Sequence, residues 1–183
     1  MTDMQNSKEE AVSLLNEAGY DKLSDITAGY GKNALNLSLI VNADNLFKVA
    51  AADEIAADLK TIGMNVTVKK LKWSAYMTAL QNGNYDLYIG EIKLTGNMSL
   101  LPFFSASGAA NYGIGSSASI ADLYSQMVRG EVSLQKFIDS FDIAVPFVPI
   151  CYRNAIATYT NEMSYGAEGT AGDVFKNIYT WAY

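Results

Sequence analysis

Apolar residues recur along the chain in two periods, and the switching between them sketches the fold. Ala11, Leu14, Leu15 and Ala18 fall on one face of a helix. Ser7 and Glu10 stand ahead of them at capping-box spacing, and Gly19 stands where a left-handed terminating residue is wanted. A polar, glycine-containing stretch over residues 20–32 predicts a loop. Leu35, Leu37, Leu39 and Val41 then alternate with Asn36 and Ser38, which predicts a strand with one wetter face near its start. Residues 42–45 predict a turn. The helical period returns from about residue 47 to 62, with Ala52, Ile55, Ala56, Leu59 and Ile62 as its buried stripe and Gly63 as its stop. Val66 and Val68 open a second strand that ends near Leu71. Ser74 is the expected cap of the next helix, which carries Met77 and Leu80 and ends at Gly83. Residues 85–92 predict a third strand, whose run Leu87, Tyr88, Ile89 suits a strand covered on both faces.

Strand, helix, strand, helix, strand is the order of an α/β layer with parallel strands, its helices laid on the sheet by right-handed crossovers. The second half is less regular. Residues 93–118 hold several glycines and serines and predict a long loop, within which Leu100, Leu101, Phe103 and Phe104 argue for partial burial or a short helix. Ser119 and Asp122 are the expected caps of a helix with Ile120, Leu123 and Met127 on one face. Ser133 caps another, with Leu134, Phe137, Ile138 and Phe141 at helical spacing. Residues 145–152 are apolar but hold Pro146 and Pro149, so an edge or irregular strand is expected. Residues 155–159 read as a further strand, 161–172 as a loop and 174–183 as an apolar-aromatic tail.

Composition narrows the function. The chain has 183 residues, 50% of them hydrophobic, which is enough for one real core. Its net charge of −6 comes from scattered acidic residues and does not suit a nucleic-acid backbone or an anionic membrane face. There is no histidine, which removes the commonest general base and the commonest metal ligand together. The single cysteine, Cys151, sits in an apolar stretch and is expected to be a small buried hydrophobe. No apolar run approaches the roughly 20 residues of a membrane span. Residues 1–7 are polar and lack a signal-peptide core, so an export signal, if the protein has one, is not in this chain.

Catalytic patterns are absent. There is no phosphate-binding glycine loop, and a serine or cysteine nucleophile has no histidine to activate it. Asp53 and Glu54 read as a solvated helix face. Glu91 is different, because it ends the third predicted strand, beside Lys93. In an open α/β sheet that end borders the ligand crevice, so a structural and a functional role stand level for it. Trp73, Tyr76, Tyr88, Tyr112 and Tyr152 fall at element ends or in loops, where amphipathic rings serve either core packing or a cleft wall.

The order of local patterns resembles one family. K-E-E-A-V-S-L-L-N-E-A-G-Y (residues 8–20) ends in an A-G-Y signature, and A-A-D-E-I-A-A-D-L-K-T-I-G-M-N-V-T-V has a helix-to-strand junction of the same kind. W-S-A-Y-M-T-A-L-Q-N-G-N-Y-D-L fits W-x-x-[YF]…G-x-[YF]-D. Asn111-Tyr112 precedes a helix with an aspartate, Asp122, and V-P-F-V-P-I-C-Y-R-N resembles a P-x-x-P-L/I strand. Together these resemble the family 5 extracellular solute-binding proteins of oligopeptide-, dipeptide- and nickel-type ABC importers.

The resemblance implies the C-terminal lobe of a class II periplasmic-binding-protein-like α/β fold, a βαβαβ core with additional helices. It implies a lobe over residues 1–160 and a return segment, 161–183, that packs on a first lobe outside this chain. It implies a binding module without cofactor, metal or catalysis, which closes on a peptide or other small solute and delivers it to permease subunits. An extracellular place follows, as a cell-surface lipoprotein or in a periplasm. The ligand-facing residues it implies are Trp73, Tyr88, Glu91, Lys93, Asn97, Asn111, Tyr112 and Arg153. Peptide-binding members often anchor the peptide amino group on an aspartate after the third strand. Residues 91–98, E-I-K-L-T-G-N-M, hold none. Either Glu91 takes that role, or the anchor lies elsewhere, or the ligand differs, as Lys93 suggests by favouring a carboxylate. Two other readings remain: a sensor domain of a transcriptional regulator, and an α/β enzyme using lysine or carboxylate chemistry.

Overall fold

Strand β1 (Asn36–Asn42) runs down the middle of a three-stranded sheet of order β2-β1-β3, parallel throughout, with β2 at Asn65–Leu71 and β3 at Leu87–Tyr88. The computed structural model describes residues 8–20, 35–95, 97–105, 107–114, 118–152, 160, 162, 169–170, 173 and 175–181. The chain divides into two compact units, Met1–Ile92 and Lys93–Tyr183.

In the first unit, α1 (Lys8–Glu17) precedes the sheet, α2 (Leu46–Lys60) links β1 to β2, and α3 (Trp73–Gln81) links β2 to β3. Asn36 pairs with Asn65 and Asn42 with Leu71 along β1–β2, while Leu39 faces Leu87 and Ile40 faces Tyr88 along β1–β3. With β2 and β3 on opposite sides of β1, right-handed crossovers set α2 and α3 on opposite faces. Alternation along the strands agrees. Leu39 and Val41 join Val66, Val68, Leu87 and Ile89 in a core closed by Val49, Ala52 and Ile55 of α2. Ile40 points to the other face and is nevertheless 0% exposed. Burying such a side chain is worth about 1.5–3 kcal/mol, and β1 collects that gain on both faces.

The helices stop as their glycines predict. The Gly19 N–H bonds Asn16 O and the Tyr20 N–H bonds Leu15 O, both at 3.0 Å, with Gly19 at φ +89. Gly63, Gly83 and, in the second unit, Gly130 repeat this pair of bonds. The Ser74 cap is not formed. Lys72 is the N-cap residue of α3 and makes no side-chain capping bond, and Ser74 lies inside the helix, where its carbonyl accepts from Thr78 Oγ1 at 3.0 Å. The third strand is also shorter than expected, with Asp86 N–H to Ser38 O and Ile89 N–H to Ile40 O, both at 3.2 Å, bounding its two ladder residues.

The second unit is helical, with α4 (Leu101–Phe104), α5 (Ala118–Val128) and α6 (Leu134–Ala144). Its core is Phe104, Ile114, Ile120, Tyr124 and Phe137, with Phe103, Leu123, Met127, Phe141 and Phe147 packed against it. Tyr124 buries its ring there, 5.5 Å from that of Phe137, and its phenol oxygen accepts the Leu100 N–H at 2.8 Å. Ser133 caps α6 as expected, accepting the Lys136 N–H at 3.2 Å. The residues just before α5 lie outside the described ones, and so do any capping bonds of Ser119 and Asp122. Both lie within α5, and Asp122 accepts from Gln126 one turn on.

Three expectations fail here, since local pattern does not say which apolar residue meets a partner. Leu134 of α6 is 59% exposed. Val145 opens no strand but closes α6 in a left-handed conformation, φ +41, bonding Phe141 O at 2.8 Å. Residues 145–152 form no strand pairing, and only Phe147 among them joins the core. Cys151 is exposed, not buried. The Ser7 cap, the 20–32 loop beyond Tyr20, the 155–159 strand and nearly all of the 161–172 loop lie outside the described residues. Within the tail, Ile178–Thr180 forms a 3-10 turn.

Candidate functional site

The carboxyl ends of β1, β2 and β3 lead into polar residues, Asp44 after β1, Lys72 after β2 and Glu91 after β3. In a sheet of order 2-1-3, the crevice between β1 and β3 is the topological switch point, where chain connections diverge to opposite faces and leave room for a ligand.

After β1 comes the turn Asn42-Ala43-Asp44-Asn45. Asn42 Oδ1 accepts the Asp44 N–H at 3.1 Å, and Asn45 Oδ1 accepts the Lys48 N–H at 3.1 Å as the N-cap of α2. Asp44 receives Lys72 Nζ at 2.7 Å. The hydrogen bond from Lys72 is the main reason that its carboxyl is held below the ordinary value, and the backbone N–H of Trp73 adds to it. The Asp44–Lys72 pair ties the β1–α2 turn to the β2–α3 turn. The same bond raises the Lys72 ammonium above its usual range.

Trp73 begins α3. Its ring is 56% exposed and stacks on Tyr76 at 5.9 Å, 28° between planes. Tyr76 is buried and donates its phenol hydrogen to Ile89 O at 2.9 Å. Beyond Ile89 come Gly90 and Glu91. A Cβ on Gly90 would lie 3.0 Å from Tyr88 Cε2, so the Tyr88 ring rests against the backbone there, and its centroid lies 5.1 Å from that of Tyr85 in an edge-on pair. Glu91 Oε2 receives Lys48 Nζ at 3.0 Å.

Of the residues expected from sequence, Trp73, Tyr88 and Glu91 therefore gather at one end of one sheet. Lys93, Asn97, Asn111 and Tyr112 belong to the second unit. Lys93 is exposed, Asn97 Oδ1 accepts from Thr95 Oγ1 at 2.6 Å, and Tyr112 is half-buried. Asn111 donates from Nδ2 to Ser105 O at 2.8 Å and so braces the turn after α4. Arg153 lies outside the described residues. Sequence reasoning missed Asp44 and Lys48. The signal for Asp44 was the run of Asn, Asp and Asn directly after a strand. Lys48 looked like any lysine on a solvated helix face. Among the described residues no group of three or more Cys, Asp or Glu could hold a metal, and no helix is long and apolar enough to cross a membrane.

The family model for bacterial extracellular solute-binding proteins, family 5, matches residues 2–111. No curated protein matches the chain. Among solved structures, NikA from Brucella suis in complex with Fe(III)-EDTA is similar at 20% identity and a TM-score of 0.54, over 74% of this chain and 28% of that one. AgaA from A. tumefaciens R10, a PBP in complex with agropinic acid, is 22% identical over 75% of this chain and 27% of its own, with a TM-score of 0.49. The Haemophilus influenzae OppA complex with RPPGFSPFR is 21% identical over 76% and 27%, with a TM-score of 0.46. The chain thus spans little more than a quarter of these proteins, 28% of NikA. The likeness to NikA shows the fold, a mixed α/β lobe of the periplasmic-binding-protein-like type built on a parallel sheet. With the family match running over more than half of its length, the chain belongs to the bacterial extracellular solute-binding proteins, family 5.

Proposed function

We propose that this chain supplies one wall of a cleft that captures a small solute outside the cytoplasmic membrane and hands it to the permease subunits of an ABC importer. The solute is peptide-like, and Glu91 is the acceptor for its amino group. Trp73 and Tyr88 line the same crevice, and the family resemblance alone adds Lys93, Asn97, Asn111, Tyr112 and Arg153 as ligand-facing residues. A second lobe closes over the ligand, and the return segment 161–183 packs on it. The work done is binding and release, with no bond made or broken.

One observation carries this reading: at the switch point of a family 5 sheet, Glu91 keeps its side chain 52% exposed while the exposed ring of Trp73 stands at the same sheet end. A carboxylate acceptor and an amphipathic ring at one end of a sheet are the chemistry that an ammonium on an apolar stem requires.

A single wall offers about half of the contacts, so affinity is expected to be weaker than about micromolar. The test is an NMR titration of the chain with trialanine. Saturable shifts concentrated at Trp73, Gly90 and Glu91 are the expected result. An absence of shifts at high peptide concentration, or shifts only at residues away from this sheet end, refutes the proposal.

A further inference from the structure

Two helices on opposite faces of the sheet converge on the residues that follow β3. From α3, the Tyr76 phenol holds the Ile89 carbonyl at 2.9 Å. From α2, the Lys48 ammonium holds the Glu91 carboxylate at 3.0 Å. The backbone of Lys48 is itself fixed, because its N–H is the one that Asn45 caps at 3.1 Å.

The two members of the ion pair are unequally exposed. The Lys48 side chain is 16% exposed and that of Glu91 52%. Lysine usually keeps its charged end in water and buries only its stem. Here the ammonium is turned in and spent on the carboxylate, while the carboxylate keeps a solvent-facing side. A carboxylate already held in one orientation loses less side-chain freedom when a ligand donor arrives, and that saving appears as affinity and selectivity.

We propose that Lys48 is a positioning residue for Glu91, and that the orientation it imposes lets the crevice distinguish solutes with a free amino group from those without one. The inference rests on the solute-capture reading above and deepens it. Charge alone makes the opposite prediction. If Lys48 acted only as a nearby positive charge, its removal would relieve repulsion and strengthen the preference for an ammonium.

The experiment compares the full chain as wild type, Lys48→Met and Lys48→Arg, with Lys48→Gln as a second neutral variant should the methionine form fail to fold. Each is titrated by NMR with trialanine and with N-acetyl-trialanine, and side-chain scalar couplings of Glu91 are measured without ligand. The wild type is expected to prefer the free amine by about tenfold. The neutral variants are expected to lose most of that preference and to show rotamer-averaged couplings at Glu91, with both restored in part by arginine. Unchanged couplings in the neutral variants overturn the proposal. So does a preference that stays the same or grows. Should the wild type bind neither peptide, the peptide reading of the function fails, and the couplings alone decide whether Lys48 positions Glu91.

Discussion

Asp86 and Ser38 share three hydrogen bonds across the β1–β3 boundary. The Asp86 carboxylate accepts the Ser38 N–H at 2.7 Å and the Ser38 hydroxyl at 2.8 Å, while the Asp86 N–H returns a bond to Ser38 O at 3.2 Å. The β3 ladder has two residues, so these bonds do much to fix its register. A slip by one residue would turn Leu87 and Ile89 out of the α2-facing core. The aspartate of the pattern G-x-[YF]-D, which in the sequence is only a carboxylate near the start of the predicted third strand, is therefore the pin that sets where Glu91 emerges.

This pin predicts a pH dependence. The backbone N–H of Ser38, followed by its hydroxyl, holds the Asp86 carboxyl below its ordinary value of 3.8. The unfolded chain therefore takes up the proton at higher pH than the folded one. The stabilisation is full above the ordinary value and is lost as pH falls from there through the lowered folded value. Asp86→Asn is expected to lower the urea midpoint at neutral pH, and the gap from wild type is expected to close in acid. A gap of the same size at every pH would show that ionisation of Asp86 plays no part.

How much of this was legible in the sequence depends on how local the cause is. The stops at Gly19, Gly63 and Gly83 were legible because a left-handed terminus is a property of one residue and its neighbours. The parallel pairing of the strands was legible because strands alternating with helices call for crossover connections, but their order, β2-β1-β3, was not. The start of α3 was not, because the helix begins at Trp73 with Lys72 as its N-cap residue, and Lys72 pairs with Asp44 on another turn. The Lys48–Glu91 pair was not, because its members lie on different elements and pair at 3.0 Å only once the sheet exists. Cys151 misled because an apolar neighbourhood in sequence does not guarantee a buried one in space.

Tyr76 predicts a test of the bond that ties α3 to the end of β3. Its ring is 4% exposed and its hydroxyl meets Ile89 O at 2.9 Å. Tyr76→Phe keeps the ring and leaves that carbonyl without its donor. A loss of about 1–2 kcal/mol in urea unfolding is expected, with faster amide exchange at Gly90. Equal stability would mean that water replaces the phenol at no cost.

Gly108 predicts a steric penalty in the second unit. A Cβ built there falls 2.2 Å from Pro102 O and 2.8 Å from Pro102 C. The neighbouring Ala110 N–H bonds that same carbonyl at 3.0 Å, and the Asn111 N–H bonds Gly108 O at 3.0 Å. Gly108→Ala must push α4 and this turn apart, so a cost of about 1–3 kcal/mol is expected, with the Asn111 brace to Ser105 disturbed. Gly19→Ala makes the control. Nothing lies within 4 Å of its added Cβ, so its cost of about 1 kcal/mol comes from φ +89 alone. Thermal melts of the two variants, with the Asn111 side-chain amide shift as reporter, separate crowding from backbone strain.

Trp73 separates the fold from binding. Its ring is 56% exposed, and its stacking on Tyr76 at 5.9 Å is the one ring contact it makes among the described residues. Trp73→Ala should therefore cost about 1 kcal/mol of stability or less. If the crevice takes a solute as proposed, the same change removes a large amphipathic surface from the binding wall, and affinity for trialanine should fall by about tenfold. Urea unfolding and NMR titration on the same samples read the two effects independently. A large loss of stability with unchanged affinity would place Trp73 in the packing of α3 and take it out of the binding wall. Near-native stability with weakened binding is the expected outcome, because an indole this exposed has little left to contribute to the core.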